Sequence, residues 1–170
     1  GARPQIDAAL AAAAIETRYH QHLRITDEAT LAIVRRVVGD LRTQIEAKLS
    51  MGLPGTPMQA SRITATGGNW VTAKPVGIVG GVDHQLTGEV RRVDAAGLVR
   101  QLDARCIPLI GPFGYSPSGE VFNVAYEEVA ASVAAALRAD KLVALDDEPG
   151  LRDADGDLIG EMTPGELDRW

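Results

Sequence analysis

Several short stretches of the chain carry residue types whose spacing could support chemistry. Asp153, Asp155 and Asp157 alternate with Ala154 and Gly156, a carboxylate pattern that suggests a calcium loop. The EF-hand arrangement needs glycine at its sixth position and a carboxylate at its twelfth. Here Gly156 is fourth and Pro164 twelfth, so the run reads as a tight hairpin turn around Asp155-Gly156. His20 and His22 stand two apart on the approach to Thr26, with no third ligand suggested nearby. Zinc takes three or four protein ligands, so both read as solvated loop histidines. Cys106, inside the apolar run Cys106-Ile107-Pro108-Leu109-Ile110, reads as a small core residue. Ser116 and Ser118 lack the Gly-x-Ser-x-Gly frame of a nucleophile elbow.

The stretch Gly111-Pro112-Phe113-Gly114-Tyr115-Ser116-Pro117-Ser118-Gly119-Glu120-Val121-Phe122-Asn123 is more suggestive. It lies between an apolar strand and a helix, where backbone amides and a helix dipole can receive an anionic ligand. No Walker A lysine follows it, so it is not a P-loop. Two readings stay open, the lining of a ligand pocket and an ordinary connector.

The elements that must position these residues follow from periodicity and punctuation. After Gly1-Ala2-Arg3, Pro4 sits where a first helical residue lacks an N–H partner anyway, and Ile6, Leu10 and Ile15 follow on an Ala-rich stretch. Thr26-Asp27-Glu28 opens the longest helix, with Leu31, Val34, Val38, Leu41, Ile45 and Leu49 at steps of three and four, ending near Ser50 to Gly52. β-branched runs at Arg62–Thr66, Trp70–Val79 and Glu89–Val93 suggest an antiparallel hairpin layer. Asp94 caps a short helix bearing Leu98, Val99 and Leu102. Cys106 to Ile110 suits a buried strand, although Pro108 cannot donate to a ladder and suggests an edge or irregular position. A second Ala-rich helix runs from about Glu127 to Ala139, and Lys141 to Leu145 returns as a strand. Thr163-Pro164-Gly165-Glu166 is a capping-box start. A turn at one end and a helix start at the other suggest elements cut at both ends of a larger domain. Helices alternating with buried strands, together with hairpins, indicate an α/β sandwich.

Composition narrows the partners. The chain has 170 residues, 45% hydrophobic and 24% charged, with a net charge of -6. Residues 140–170 hold ten acids against Lys141, Arg152 and Arg169, a local charge of -7 that leaves the rest at +1. No basic stripe remains for a phosphate backbone, so nucleic acid is not an expected partner. A lone cysteine argues against a disulfide framework and for a reducing, cytoplasmic setting. No uncharged run approaches the roughly 18 residues of a membrane span, and no signal peptide is read at the N-terminus.

Taken in order, Gly1-Ala2-Arg3-Pro4-Gln5-Ile6, Arg18-Tyr19-His20, Leu23-Arg24-Ile25-Thr26-Asp27, Ala47-Lys48-Leu49-Ser50-Met51, Thr72-Ala73-Lys74-Pro75-Val76-Gly77, Thr87-Gly88-Glu89-Val90-Arg91-Arg92-Val93-Asp94, Gly114 to Asn123, and Ala139-Asp140-Lys141-Leu142 with Glu148-Pro149-Gly150 make the chain resemble the amino-acid-kinase-like domain of bacterial N-acetylglutamate synthases. The resemblance implies an open sheet between helices, a three-layer αβα sandwich of the amino-acid kinase (carbamate kinase-like) type, incomplete at both ends. Residues 1–170 would be the central part of one such domain, with the acetyltransferase domain absent from this chain. Arg24 matches a position that holds an acetylglutamate carboxylate in the related kinases. A guanidinium fork suits that task. Gly114, Tyr115, Ser116, Asn123 and Glu127 are the further pocket candidates.

The kinases of this fold carry a Gly-Gly-Gly-Pro turn and an Asn-x-Asn-Ala-Asp run. Here the corresponding residues are Gly1-Ala2-Arg3-Pro4 and Asn123-Val124-Ala125-Tyr126-Glu127, with Asp146-Asp147 adding a carboxylate to the nucleotide-side turn. Phosphoryl transfer depends on positioning and charge neutralisation, so kinase activity is not expected. The resemblance implies instead a non-catalytic, arginine-sensing and oligomerising segment of an enzyme that transfers acetyl from acetyl-CoA to L-glutamate, with no catalytic residue, cofactor or metal in the segment. The implied assembly is a homo-oligomer, with a hexamer as one form. The alternatives are an atypical N-acetylglutamate kinase and a non-enzymatic ligand-binding module.

Overall fold

The computed structural model describes residues 2–59, 61, 63–145, 150, 152, 153 and 155–160. The capping-box run at Thr163 and the Asp146-Asp147 turn lie outside the described residues. Residues 1–140 form one compact unit and residues 141–170 another.

Helix α1 (Arg3–Ala12) starts one residue before Pro4 and buries Ile6 and Leu10. The chain then forms a hairpin, β1 (Tyr19–His20) with β2 (Leu23–Arg24), in the register His20↔Leu23. Its two turn residues, Gln21 and His22, both have positive φ (49° and 64°), the mirror-image turn that matches strand twist. Helix α2 (Glu28–Met51) starts where Asp27 accepts the Thr30 N–H at 2.8 Å, and ends at Gly52 with φ 65°. Its Ile33 and Val34 pack with Ile6 and Leu10 in one buried cluster. The apolar stripe continues past Val34, but its far end emerges from the core and Ile45 is exposed.

The following strands are β3 (Thr64–Thr66), β4 (Val71–Pro75), β5 (Ile78–Val79), β6 (Val82–Asp83) and β7 (Thr87–Val93). Then come α3 (Ala95–Asp103), β8 (Cys106–Pro108), β9 (Phe113–Tyr115), β10 (Val121–Val124) and α4 (Tyr126–Leu137). The expected antiparallel layer is present as β4 on β7, with a bulge where Ala73 pairs with Val90 after Thr72 pairs with Arg92. Bulges leave backbone groups without ladder partners; Glu128 Oε1 accepts the Val90 N–H at 2.6 Å and ties α4 to this point.

β7 also pairs in parallel with β10, β10 antiparallel with β9, and β9 meets β4 at Thr72↔Tyr115. The four strands therefore close into a ring, and their Val71, Ala73, Phe122 and Val124 form a buried cluster with Val129 of α4. Closure needs Gly114: a Cβ there would lie 2.2 Å from the Ala73 Cβ, closer than atoms can approach. The α/β class expected from the sequence holds, while the described ladders are a ring and three two-stranded pieces rather than one continuous sheet.

Three local expectations are corrected. Thr64–Thr66 does not join the antiparallel layer; β3 pairs in parallel with β8, with α2 lying against β3 and α3 against β8. The run from Cys106 is not a buried strand, since Ile107 is 44% exposed and Cys106 is half-buried, its thiol near the Ala104 carbonyl. Composition suited burial, but Pro108 limits pairing and the run is covered incompletely. Lys141–Leu145 forms no strand: it is unpaired, with Leu145 88% exposed. Apolar residues do not make a strand without a ladder to join. The Asp155-Gly156 hairpin is as expected. Arg152 bridges Leu158, Gly156 has φ 89°, and the Asp153 carboxylate accepts the N–H groups of Asp155 and Asp157.

Candidate functional site

The two chain reversals that carry Arg24 and Asn123 are joined by a buried polar network. Thr26 and Thr87 are 0% and 2% exposed. Thr87 Oγ1 accepts the Thr26 N–H at 3.2 Å and donates to the Arg24 carbonyl. Asn123 Nδ2 donates to Thr26 Oγ1 at 3.0 Å, and the Asn123 N–H donates to the Leu86 carbonyl at 2.9 Å. This fixes the Asn123 amide with its nitrogen committed to Thr26, so its oxygen is the end left for a ligand.

A cleft opens above the network. Arg24, Thr87 and Asn123 line it, with Tyr19 and Leu23 from the hairpin and the first turns of both α1 (Ala2, Arg3, Ile6) and α4 (Ala125, Tyr126). The caps of those two helices are Ala2 and Ala125, and neither end is satisfied by a side-chain cap. Helix starts hold backbone N–H groups with no intrahelical partner and the positive end of the dipole. Two such ends converge here with a guanidinium, a donor set suited to a carboxylate or small anion, with the Asn123 oxygen beside it as an acceptor.

Charge at the rim is balanced. Arg3 lies 3.6 Å from Glu127, both about half exposed, with its guanidinium 5.7 Å from the Tyr126 ring centre. Glu127 opens onto an adjoining cleft that shares Arg3, Tyr19, His22 and Leu23 with the first. Arg24 is buried and pairs with Asp7. A phosphate chain at this rim would face the Glu127 carboxylate. The arrangement can hold a carboxylate but is poorly matched to a nucleotide triphosphate.

Arg24 and Asn123 line one cleft, Glu127 lines the adjoining one, and Gly114, Tyr115 and Ser116 line neither. The Gly111–Asn123 stretch is a β-hairpin, not a strand-to-helix anion loop. Gly114 and Tyr115 pair with Phe122 and Val121, and Ser116 Oγ closes the turn by accepting the Glu120 N–H at 3.0 Å. Backbone that pairs within a ladder is not free to receive an anion. The anion-receptive amides lie instead at α1 and α4.

His20 also departs from expectation. It is no solvated loop residue, because its Nδ1 lies 3.2 Å from Nε2 of buried His84. His84 Nδ1 is a buried side-chain polar atom without a partner. His22 is exposed at the hairpin turn. Among the described residues no group of three or more His, Cys, Asp or Glu could hold a metal ion, and no helix is long and apolar enough to cross a membrane.

Sequence reasoning missed Asp7, Thr87, Tyr19 and the two helix starts. The alanines at positions 2 and 125 were the available signal: a helix that begins without Ser, Thr, Asp or Asn leaves its N–H groups to something else.

A second cavity of about 560 Å³ lies between α1, α2, residues 108–112 and α4, lined mainly by Val38, Leu41, Ile45, Leu109, Ile110 and Val129. It lacks the convergent polar groups of the first.

Comparison with known proteins places the chain in a family. Residues 1–169 match the amino acid kinase family. The amino-acid acetyltransferase of Azotobacter vinelandii is 53% identical over 98% of this chain, and that of Pseudomonas aeruginosa 52% over 98%. The chain spans 39% of the length of each. The crystal structure of N-acetylglutamate synthase from Neisseria gonorrhoeae complexed with coenzyme A and L-arginine superimposes with a TM-score of 0.85 at 36% identity, covering 94% of this chain and 37% of that one. A Streptococcus mutans protein, smu.665, shares the fold at 20% identity, with a TM-score of 0.80 over 96% of this chain and 64% of its own. With a family match over residues 1–169, the chain belongs to the amino acid kinase family.

Proposed function

We propose that this chain is part of the amino-acid-kinase-like domain of an N-acetylglutamate synthase, and that the domain senses L-arginine and builds the oligomer rather than performing chemistry. Residues 1–170 would be the central part of that domain. Acetyl transfer from acetyl-CoA to L-glutamate would be carried by a separate acetyltransferase domain of the parent protein. The observation that carries this reading is the likeness to amino-acid acetyltransferases over nearly the whole chain, at 52–53% identity. The rim of the cleft supports it against the kinase alternative, because the resemblance sets Arg3 against a glycine of the kinases' phosphate turn, and Arg3 here is paired with Glu127.

Arginine would act by binding one arrangement of the parent protein better than another, a coupling of about 1–3 kcal/mol. Its contacts are not assigned to residues of this chain. A homo-oligomer, hexameric in one form, and a cytoplasmic setting complete the proposal. The test is an acetyltransferase assay on the full-length parent protein with L-arginine titrated in. Activity should fall as arginine rises, whereas arginine-insensitive activity overturns the regulatory role. ATP-dependent phosphorylation of N-acetyl-L-glutamate would establish the kinase reading instead.

A further inference from the structure

Arg24 is 8% exposed, and its guanidinium is already engaged on several sides. Nη2 donates to Asp7 Oδ1 at 2.5 Å, Nη1 donates to Thr17 Oγ1 at 3.3 Å, and the group lies over the Tyr19 ring with Cζ 4.9 Å from its centre. Of these partners Asp7 alone carries charge, and its side chain is 44% exposed. A buried guanidinium is costly to leave unpaired, so Asp7 supplies what a ligand carboxylate would otherwise supply. The cleft beside the pair holds about 60 Å³ of water-accessible space, room for a few waters and less than an amino acid fills.

The geometry points to Asp7 as a built-in competitor that closes the Arg24 subsite to carboxylate ligands. With Asp7 in place the guanidinium charge is already neutralised, so a carboxylate gains the full charge-assisted pair when Asp7 leaves it. Asp7 is free to leave because half of its side chain already faces solvent. Its neighbours Ile6 and Leu10 hold α1 in the core, so the exchange needs a side-chain rotation rather than loss of the helix. The inference rests on reading the cleft as a carboxylate site. It does not require acetyl transfer or arginine sensing, so an arginine-insensitive parent enzyme would leave it standing.

The test uses the whole 170-residue chain with N-acetyl-L-glutamate and acetate as probes, against sodium chloride at equal ionic strength. Asp7→Ala should melt below the wild type and be restored by either probe, with the wild type unresponsive. By calorimetry Asp7→Ala should bind N-acetyl-L-glutamate at least about ten-fold more tightly than the wild type, the scale of a charge-assisted pair. Asp7→Asn, which keeps the acceptor oxygen without the charge, should fall between them and carries the comparison if Asp7→Ala does not fold. The gain should vanish when Arg24→Met is added to either variant. Equal affinity in the wild type and the Asp7 variants, or a gain that survives Arg24→Met, overturns the proposal.

Discussion

Replacing Thr87 by valine keeps the shape of the side chain and deletes one hydroxyl, which isolates the network beneath the cleft. In the folded chain Thr87 Oγ1 is the acceptor for the Thr26 N–H and a donor to the Arg24 carbonyl, and both threonines are sealed from water. Valine strands the Thr26 N–H at a cost of about 1–3 kcal/mol and removes one further hydrogen bond of about 1 kcal/mol. The sum is about 2–4 kcal/mol. For a chain of this length each kcal/mol moves the melting temperature by about 2–4 °C, so Thr87→Val should lower it by roughly 10 °C. Thr87→Ser keeps the hydroxyl and loses one methyl group, at about 1 kcal/mol. Thermal and urea unfolding of the three proteins, followed by circular dichroism, measures both numbers. A valine variant within about 0.5 kcal/mol of the wild type, or a serine variant as unstable as the valine one, would refute the idea that the hydroxyl anchors the cleft, since neither outcome fits an orphaned buried N–H.

Two further outcomes follow from the same structure. Gly114→Ala places a Cβ 2.2 Å from that of Ala73, beside the Thr72↔Tyr115 pair that joins β9 to β4. It should destabilise by about 1–3 kcal/mol, read as a lowered urea midpoint, and an unchanged midpoint would mean the ring is looser than its pairing implies. The Thr30 backbone and side-chain hydrogen bonds hold the Asp27 carboxyl below the usual aspartate range. A depressed carboxyl stabilises the fold above its unfolded value and loses that contribution as pH falls through the folded one. Asp27→Ala should therefore cost about 1 kcal/mol at pH 7, and its deficit against the wild type should shrink below about pH 4; a deficit that stays constant down to pH 2 contradicts the assignment.

Where structure is decided by neighbours in sequence, it was legible. The Asp94 cap, the helix over Tyr126–Leu137 and the Asp155-Gly156 turn all depend on groups within about four residues and are as expected, while the α2 cap falls on Asp27 rather than Thr26, whose hydroxyl is taken by the network under the cleft. Strand partners are another matter. Thr64–Thr66, Phe113–Tyr115 and Lys141–Leu145 have similar β-prone composition, yet one joins β8, one closes the ring and one pairs with nothing. The site divides in the same way. Arg24 and Asn123 were found through the family's residue pattern, whereas Thr87 acts through Thr26, 61 positions away, and His84 through His20, 64 away. No local pattern announces a hydroxyl or imidazole whose partner lies that far along the chain. The Gly-rich stretch misled because glycine there serves close strand packing, not anion access.

The four-strand ring also governs how the chain can meet other chains. Each of β4, β7, β9 and β10 has a neighbour on both sides, but β9 meets β4 at the single pair Thr72↔Tyr115 and β10 meets β7 over two pairs, so only these short seams are closed to a row of open N–H and C=O groups on which a foreign strand could template. Among the described strands such a row is available at the two-stranded pieces, and the β3–β8 piece carries exposed Ile107 beside Pro108. Proline interrupts the donors that an added strand would need. The β3–β8 edge is thereby blunted against intermolecular sheet formation by its own sequence.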